Sequence, residues 1–494
     1  MASATLVSTP GHRRSARAVP SRPHLRGLGV LVLLMGAFLP IADFFIVNVA
    51  LPSIGRTLHA SGATLELVVA GYGIAYASLL VLGGRLGDRF GRRRTFLVGL
   101  GAFIAASLAC GLAPGIGALL AARIVQGAAA AVLVPQVLAT FNATLGGERR
   151  VRALAMYGAV AGLAAVFGQL AGGFVVTANV AGTQWRPIFL VNLPIGLAVA
   201  AATLCLVPET RPAQAVRVDL VGTALFAGTL TALLIPLTQG RTLGWPAWAW
   251  LLLAAVPVLA FVVHVVESRI ERNGGHPLLP PSLLRLPSVW RGLSIILPFA
   301  GGFSAFMFVF ALIVQDGLHH DAFQSGLAIL PMAVCFLLGS MTSPRLIARF
   351  GRAALAAGAV TQVVGLTSLV LVLTAQWPHV SLIALSVPMA VAGLGQSLVF
   401  TGLFRAVLVD CPAHHAGVGG GLVITIQQGG FALGVATLGT LFLSMAPASM
   451  PHAFATTVGV QIGVAVLLTL LIRALPRFTS HSHAAAEPAV VVEV

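Results

Sequence analysis

Between residues 28 and 475 the chain is a succession of long apolar runs separated by short polar breaks. A helix needs roughly 20 apolar residues to cross a bilayer's hydrocarbon, whereas the strands of a membrane barrel read as short segments of alternating polarity. The pattern here is of the first kind. It predicts fourteen membrane helices, at 28–51, 64–84, 95–113, 116–140, 152–178, 187–207, 219–239, 247–267, 291–314, 324–342, 353–374, 379–403, 417–445 and 456–475. In two runs a charge lies well inside the ends. "IADFFIVNVALPSI" (41–54) holds Asp43 and Asn48, and "LAARIVQGAAAAVLVP" (120–135) holds Arg123 and Gln126.

Composition strengthens this reading. The chain has 494 residues, 58% of them hydrophobic and 9% charged, against about 25% charged in a soluble domain. The fold class is therefore an all-α polytopic membrane protein. All 29 basic residues are arginine, a bias that with the alanine richness suggests a high-GC bacterial genome. An isoelectric point near 11.6 would suggest a nucleic-acid partner in a soluble protein. Here the arginines are read as topology signals and headgroup contacts, and no nucleic-acid partner is expected. With a cytoplasmic N-terminus, Arg56, Arg186 and Arg241 fall outside, Arg123 falls within the fourth span, and the remaining 25 of 29 fall inside. An even number of spans returns the C-terminus to the cytoplasm.

The four cysteines, Cys110, Cys205, Cys335 and Cys411, are scattered, and His319-His320 and His414-His415 lie in loops on opposite sides. Neither a disulfide framework nor a metal site is indicated, and "GVGGG" (417–421) lacks the GK[ST] of a phosphate loop. No cofactor is expected. No nucleophile–base pattern stands out, so the chain is not read as an enzyme.

An internal repeat is visible. "GRLGDRFGR" (84–92) and "PRLIARFGR" (344–352) share six identities in nine positions, each in a tight basic loop between a second and a third helix. The offset of 260 residues fits a six-helix bundle with two extra helices inserted before the second copy. The expected organisation is a basic disordered arm (1–27), a first bundle (28–208), two extra helices with a linker (209–290), a second bundle (291–477) and a tail (478–494). Two helical halves around a midplane site is how many transporters are built.

A carboxylate at mid-membrane costs about 2.5–3.5 kcal/mol on insertion scales and usually faces the bundle interior. Burial disfavours the charged form of an acid, so Asp43 is a candidate to load and release a proton; the plainer alternative is an interior aspartate bonded to Asn48 or a neighbouring helix. Arg123 cannot lose its charge, and an arginine that moves toward or away from an acid shifts that acid's protonation. Its alternative is a snorkelling arginine near a helix end. "GAVAGLAAVFGQLAGG" (158–173) carries Gly158, Gly162, Gly168, Gly172 and Gly173, a spacing that permits close helix approach and, more sharply, rocking of two halves over the seam. Asn48, Gln126, Gln169, Gln315 and Gln427 are candidates to line a substrate route, with at most one of Gln427 and Gln428 pointing inward. "GFSAFMFVF" (302–310) is expected to offer its rings to lipid rather than to a ligand.

These residues resemble a known family. "GGRLGDRFGRRR" (83–94) resembles the loop signature of the major facilitator superfamily, and "RIVQGAAAAVLVP" its fourth-helix motif, with Arg123 at the arginine linked to proton coupling. "ADFFIVNVALPSI" resembles the first-helix motif of its fourteen-span drug:proton antiporters, with Asp43 and Asn48 at matching positions. "WRPIFLVNLPIG" (185–196), "VQDGLHHDAFQSGLAILP" (314–331) and "IQQGGFALGVATLG" also resemble that branch. The resemblance runs from about 28 to 475.

It implies alternating access in a bacterial inner membrane, with lipophilic small molecules leaving in exchange for protons and the lipid bilayer as the surroundings. It also implies a latch in which Asp88, with Arg89 and Arg92, braces the cytoplasmic interface of the halves, on one side only, since the second copy has Ala348 at that position. Function as a monomer is expected. Three positions depart from the branch: Gly168-Gln169 stands for the usual Gly-Pro, Phe45 for a common threonine and Leu67 for a common tryptophan. They point toward a narrower substrate range or the reverse direction of transport. An importer on the same fold and a non-transporting sensor are the alternatives.

Overall fold

The structure, a computed structural model, describes residues 25–179, 182–211, 219–240, 243–275, 277–278, 280–408 and 416–472. The expected tail 478–494, nearly all of the basic arm, Cys411 and His414-His415 lie outside these residues. Among the described residues there is no strand, and fourteen helices are long and apolar enough to span a membrane. They are α1 (Gly27–Leu58), α2 (Gly62–Phe90), α3 (Arg92–Gly111), α4 (Ile116–Thr144), α5 (Gly147–Ala178), α6 (Pro187–Leu206), α7 (Leu220–Gln239), α8 (Ala247–Arg272), α9 (Pro287–Gly317), α10 (Ala322–Phe350), α11 (Arg352–Gln376), α12 (Leu382–Leu403), α13 (Gly421–Met445) and α14 (Met450–Ile472). Each overlaps one predicted run. Several are longer, as α1 is by a turn or two, because a helix keeps its backbone hydrogen bonds satisfied past the point where its side chains cease to be apolar.

The packing repeats. In the first half α1 lies along α5, and α2 and α3 lie along α4; in the second α9 lies along α13, and α10 and α11 lie along α12. Between halves the main partners are α2 with α13 and α5 with α10, a pairing that exchanges the two halves onto one another. The pair α7 and α8 pack on each other, with α7 against α2. Most of α8 is uncovered by protein, as expected of an added helix facing lipid.

Small residues set the crossings. A Cβ on Gly168 would lie 2.5 Å from the Ala42 carbonyl oxygen, and one on Gly172 2.6 Å from the Ile46 side chain, so α5 presses directly on α1 around Asp43. On the other side of α5, Gly173 meets the Ala322 carbonyl and Gly162 meets the Phe336 ring, both in α10. The glycine-rich stretch is thus the seam between the halves, although a Cβ on Gly158 would meet nothing. Where α2 crosses α4, a Cβ on Gly83 would overlap the Ala131 carbonyl oxygen, a clash with backbone that no rotamer relieves. Gly83→Val is expected to force the helices apart, costing at least the roughly 1–3 kcal/mol of an overpacked core and lowering the melting temperature of purified protein by several degrees. Gly84→Ala is the control, since its nearest neighbour is 3.7 Å away; equal melting of the two variants would contradict the crossing.

The basic loop is held by the segment after α6. Gly91 has φ +102° and follows α2, a conformation that favours glycine. Its turn lets Glu209 cap α3, accepting from Arg93 N at 3.1 Å and Arg94 N at 3.2 Å, where a carboxylate also suits the helix dipole.

At the face opposite the basic loops the halves are bonded to each other. Arg56 pairs with Asp316 at 3.6 Å, Gln315 Nε2 donates to the Val49 carbonyl at 3.0 Å, Thr440 Oγ1 donates to Glu66 at 2.8 Å, and Phe323 N donates to Thr177 Oγ1 at 3.0 Å. Three of these links lie in or beside π-helical turns, Ile313–Gly317 and Val435–Gly439, irregularities that occur often at functional sites.

Candidate functional site

Asp43 and Arg123 meet. The Arg123 Nη1 donates to Asp43 Oδ2 at 2.5 Å, and both side chains are fully buried. Arg123 is therefore no snorkelling residue. Two amides complete the carboxylate: Gln126 Nε2 at 2.9 Å and Asn192 Nδ2 at 2.7 Å both donate to Oδ1. The same two nitrogens donate to Ser107 Oγ at 2.8 and 3.2 Å. Arg123 in turn donates Nη1 to Gln126 Oε1 at 2.7 Å and Nε to the Val68 carbonyl at 3.3 Å. Its guanidinium lies 4.3 Å from the Tyr72 ring centroid and 5.8 Å from that of Phe189, in reach of a cation–π attraction. The result is a charge-compensated cluster drawn from α1, α2, α3, α4 and α6.

Local sequence explains how each group arrives. Pro40 sits inside α1, and Tyr72 donates its hydroxyl to the Pro40 carbonyl at 2.9 Å, anchoring α2 one turn before Asp43. Gly127 lies one turn beyond Arg123, and a Cβ there would overlap the Tyr72 carbonyl oxygen; its absence lets the Tyr72 ring slide beneath the guanidinium. Pro194 removes a backbone donor near the start of α6, and the helix is interrupted at Val191. Asn192 opens the next segment with its amide turned to Asp43.

The other predicted residues are spread out. Gln126 belongs to the ion-pair cluster. Gln315 ties α9 to α1, and Gln169 donates Nε2 to Met307 Sδ at 3.7 Å. Asn48 is buried, and among the described residues neither of its amide atoms has a hydrogen-bond partner. Gln427 is half-buried while Gln428 is buried. Asp88 accepts from Arg92 at 3.0 Å, one turn along the same stretch, and Arg89 stacks on Phe90; among the described residues these contacts stay within the first half. The rings of 302–310 correct an expectation. Phe306, Phe308 and Phe310 are buried and Phe303 packs on Phe45 and Phe431, because α9 is a central helix enclosed on most sides rather than a lipid-facing one.

Sequence reasoning missed Asn192, Ser107 and Tyr72. A lone amide in the apolar stretch "FLVNLPIG" is the same signal that marked Asp43. A helix serine carries none, since its hydroxyl is usually satisfied by its own backbone.

Two pseudo-equivalent halves, the first holding a buried, hydrogen-bonded ion pair, define a membrane transporter scaffold. A family model described as Major Facilitator Superfamily matches residues 33–435, and the chain belongs to that superfamily. It is 38% identical over 440 residues to the probable actinorhodin transporter of Streptomyces coelicolor, covering 88% of this chain and 75% of that one. It is 37% identical over 462 residues to the cephamycin export protein CmcT of Amycolatopsis lactamdurans, covering 90% and 91%. With the puromycin resistance protein pur8 of Streptomyces alboniger it shares 35% identity, covering 84% and 82%. The crystal structure of an auto-inhibited POT family peptide transporter superposes with a TM-score of 0.63 at 15% identity, covering 93% of this chain and 99% of that one, a likeness of fold.

Proposed function

We propose that the chain exports lipophilic small molecules of the antibiotic kind from the bacterial cytoplasm by proton antiport, as a monomer in the inner membrane with both termini inside. The observation that carries this reading is the Asp43–Arg123 pair, 2.5 Å apart and sealed from solvent, in a chain whose relatives at 35–38% identity are named for antibiotic export and resistance. Asp43 carries the proton. Its protonation removes the charge that compensates Arg123, so the cluster that joins α1 to α4 and α6 is no longer neutral and its packing changes. The halves, 28–208 and 291–477 with 209–290 inserted, rock over the α5–α10 and α2–α13 seams. Asn48, Gln126, Gln169, Gln315 and Gln427 line the route, and Asp88, Arg89 and Arg92 brace the basic face when it closes. The bonds joining the halves lie at the opposite face, which supports a conformation closed there. A proton entering down a potential releases about 2.3 kcal/mol per 100 mV, enough to sustain a useful gradient of one neutral molecule.

Proteoliposomes of the full chain, loaded with a lipophilic dye and given an imposed pH gradient, test the reading. Dye movement opposite to the proton gradient, abolished by collapsing it with an ionophore, is the expected result. Movement with the protons would make the chain an importer, and no movement under any gradient would remove the transport reading.

A further inference from the structure

Four phenyl rings converge between the halves beside the ion pair. Phe44 and Phe45 come from α1, Phe303 from α9 and Phe431 from α13. Phe44 and Phe431 are stacked, with centroids 5.4 Å apart and an interplanar angle of 23°. Phe45 meets Phe303 edge to face at 5.4 Å and Phe431 at 5.9 Å, and Phe303 lies 6.1 Å from Phe431. Tyr72, the ring under the Arg123 guanidinium, is 5.7 Å from Phe44. The rings thus run without interruption from the second half to the proton site.

A seal of apolar side chains needs neither aromatic geometry nor polar groups. This cluster has both. Asn48 lies three and four residues beyond Phe45 and Phe44, on their face of α1; it is fully buried, and its amide has no partner among the described residues. An unpaired buried amide costs about 1–3 kcal/mol for each group, so it is the kind of feature that a ligand oxygen satisfies. Gln169, likewise buried, has an oxygen without a partner among the described residues. Asp43 and Arg123 compensate each other, so the adjoining surface presents no net charge.

We infer that this ring cluster, with Asn48, is a recognition site for a neutral, planar aromatic molecule bearing hydroxyl or carbonyl oxygens. The inference rests on the exporter reading and names the class of compound that the same route takes. The stacked Phe44–Phe431 contact joins opposite halves and parts whenever they separate. A flat ring system inserted there replaces lost ring–ring contacts with its own two faces, which a saturated molecule of equal area does not. Tyr72 then conveys the displacement of Phe44 to Arg123.

Equilibrium dialysis of the detergent-solubilised full chain against 1,4-dihydroxyanthraquinone, with a protein-free micelle blank, tests the site. Perhydroanthracene, with the same three fused rings but no π-face and no oxygen, is the saturated comparator. In Phe45→Leu and Phe431→Leu the dissociation constant for the quinone is expected to rise about three- to tenfold, the worth of one aromatic contact, while that for the comparator changes less than twofold. Phe45→Tyr, which keeps the ring, should bind the quinone as the wild type does, which separates ring loss from misfolding. Asn48→Ala should weaken quinone binding alone. Equal weakening of both compounds, unchanged quinone binding in the leucine variants, or a wild type that does not bind the quinone each overturns the assignment. Because binding is measured without a gradient, a protein that binds the quinone yet moves no dye under any gradient refutes export and leaves the site standing; one that exports other dyes without binding the quinone does the reverse.

Discussion

Asp43→Asn is expected to abolish proton-driven transport while leaving the protein folded and inserted. The amide is nearly the size of the carboxyl, and its oxygen still accepts from Gln126 and Asn192. Arg123 keeps the Val68 carbonyl, Gln126 Oε1 and the Tyr72 ring, but the amide turns its NH2 toward Nη1 and the buried guanidinium loses its counter-ion, so the cost is about 3–5 kcal/mol. What is lost entirely is a group able to bind and release a proton. The measurement is substrate flux under an imposed pH gradient beside gel-filtration and melting profiles of the same preparation. Undiminished proton-coupled flux in this variant would remove Asp43 from the mechanism. Downhill, gradient-independent exchange of substrate is expected to survive, since it needs only the rocking of the halves.

Arg123→Leu is expected to lower stability by a similar amount. It removes the cation from a fully buried carboxylate and with it the bonds to Val68 and Gln126 and the stack on Tyr72. Breaking a buried ion pair by deleting one partner costs about 3–5 kcal/mol, a drop that thermal unfolding in detergent reads directly. The double variant Asp43→Asn, Arg123→Leu should regain part of the loss, because a neutral amide no longer requires a counter-charge. If the double variant is no more stable than Arg123→Leu alone, the two side chains are not coupled as their geometry indicates. Neither of the variants that lack the arginine should couple substrate to protons.

Much of the molecule was legible before any coordinates. The long apolar runs separated the fourteen helices, the paired basic loops revealed the repeat, and two charges misplaced in oil pointed at Asp43 and Arg123. The signal in each case is local: a bilayer admits only helices of sufficient apolar length, and a charge within one is costly enough to be noticed. Ser107 and Tyr72 gave no such signal, since a hydroxyl or an aromatic ring is unremarkable in a membrane helix. The aromatic stretch 302–310 was misread because composition cannot distinguish a helix wrapped in lipid from one wrapped in other helices; both are apolar all round.

Sequence alone determined the helices, their number, the duplication and which polar groups were out of place, because each follows from the transfer of a short segment from water to hydrocarbon. Only the tertiary structure decided that Asp43 and Arg123, 80 residues apart, lie in direct hydrogen-bond contact, that Asn192 and Gln126 complete the cluster, and that four phenyl rings from both halves close beside it. Those are matters of which helix faces meet. Glycines at Gly127, Gly168 and Gly172 settle them by letting particular backbones touch, and no pattern along one stretch of sequence specifies which partner backbone will come to lie there.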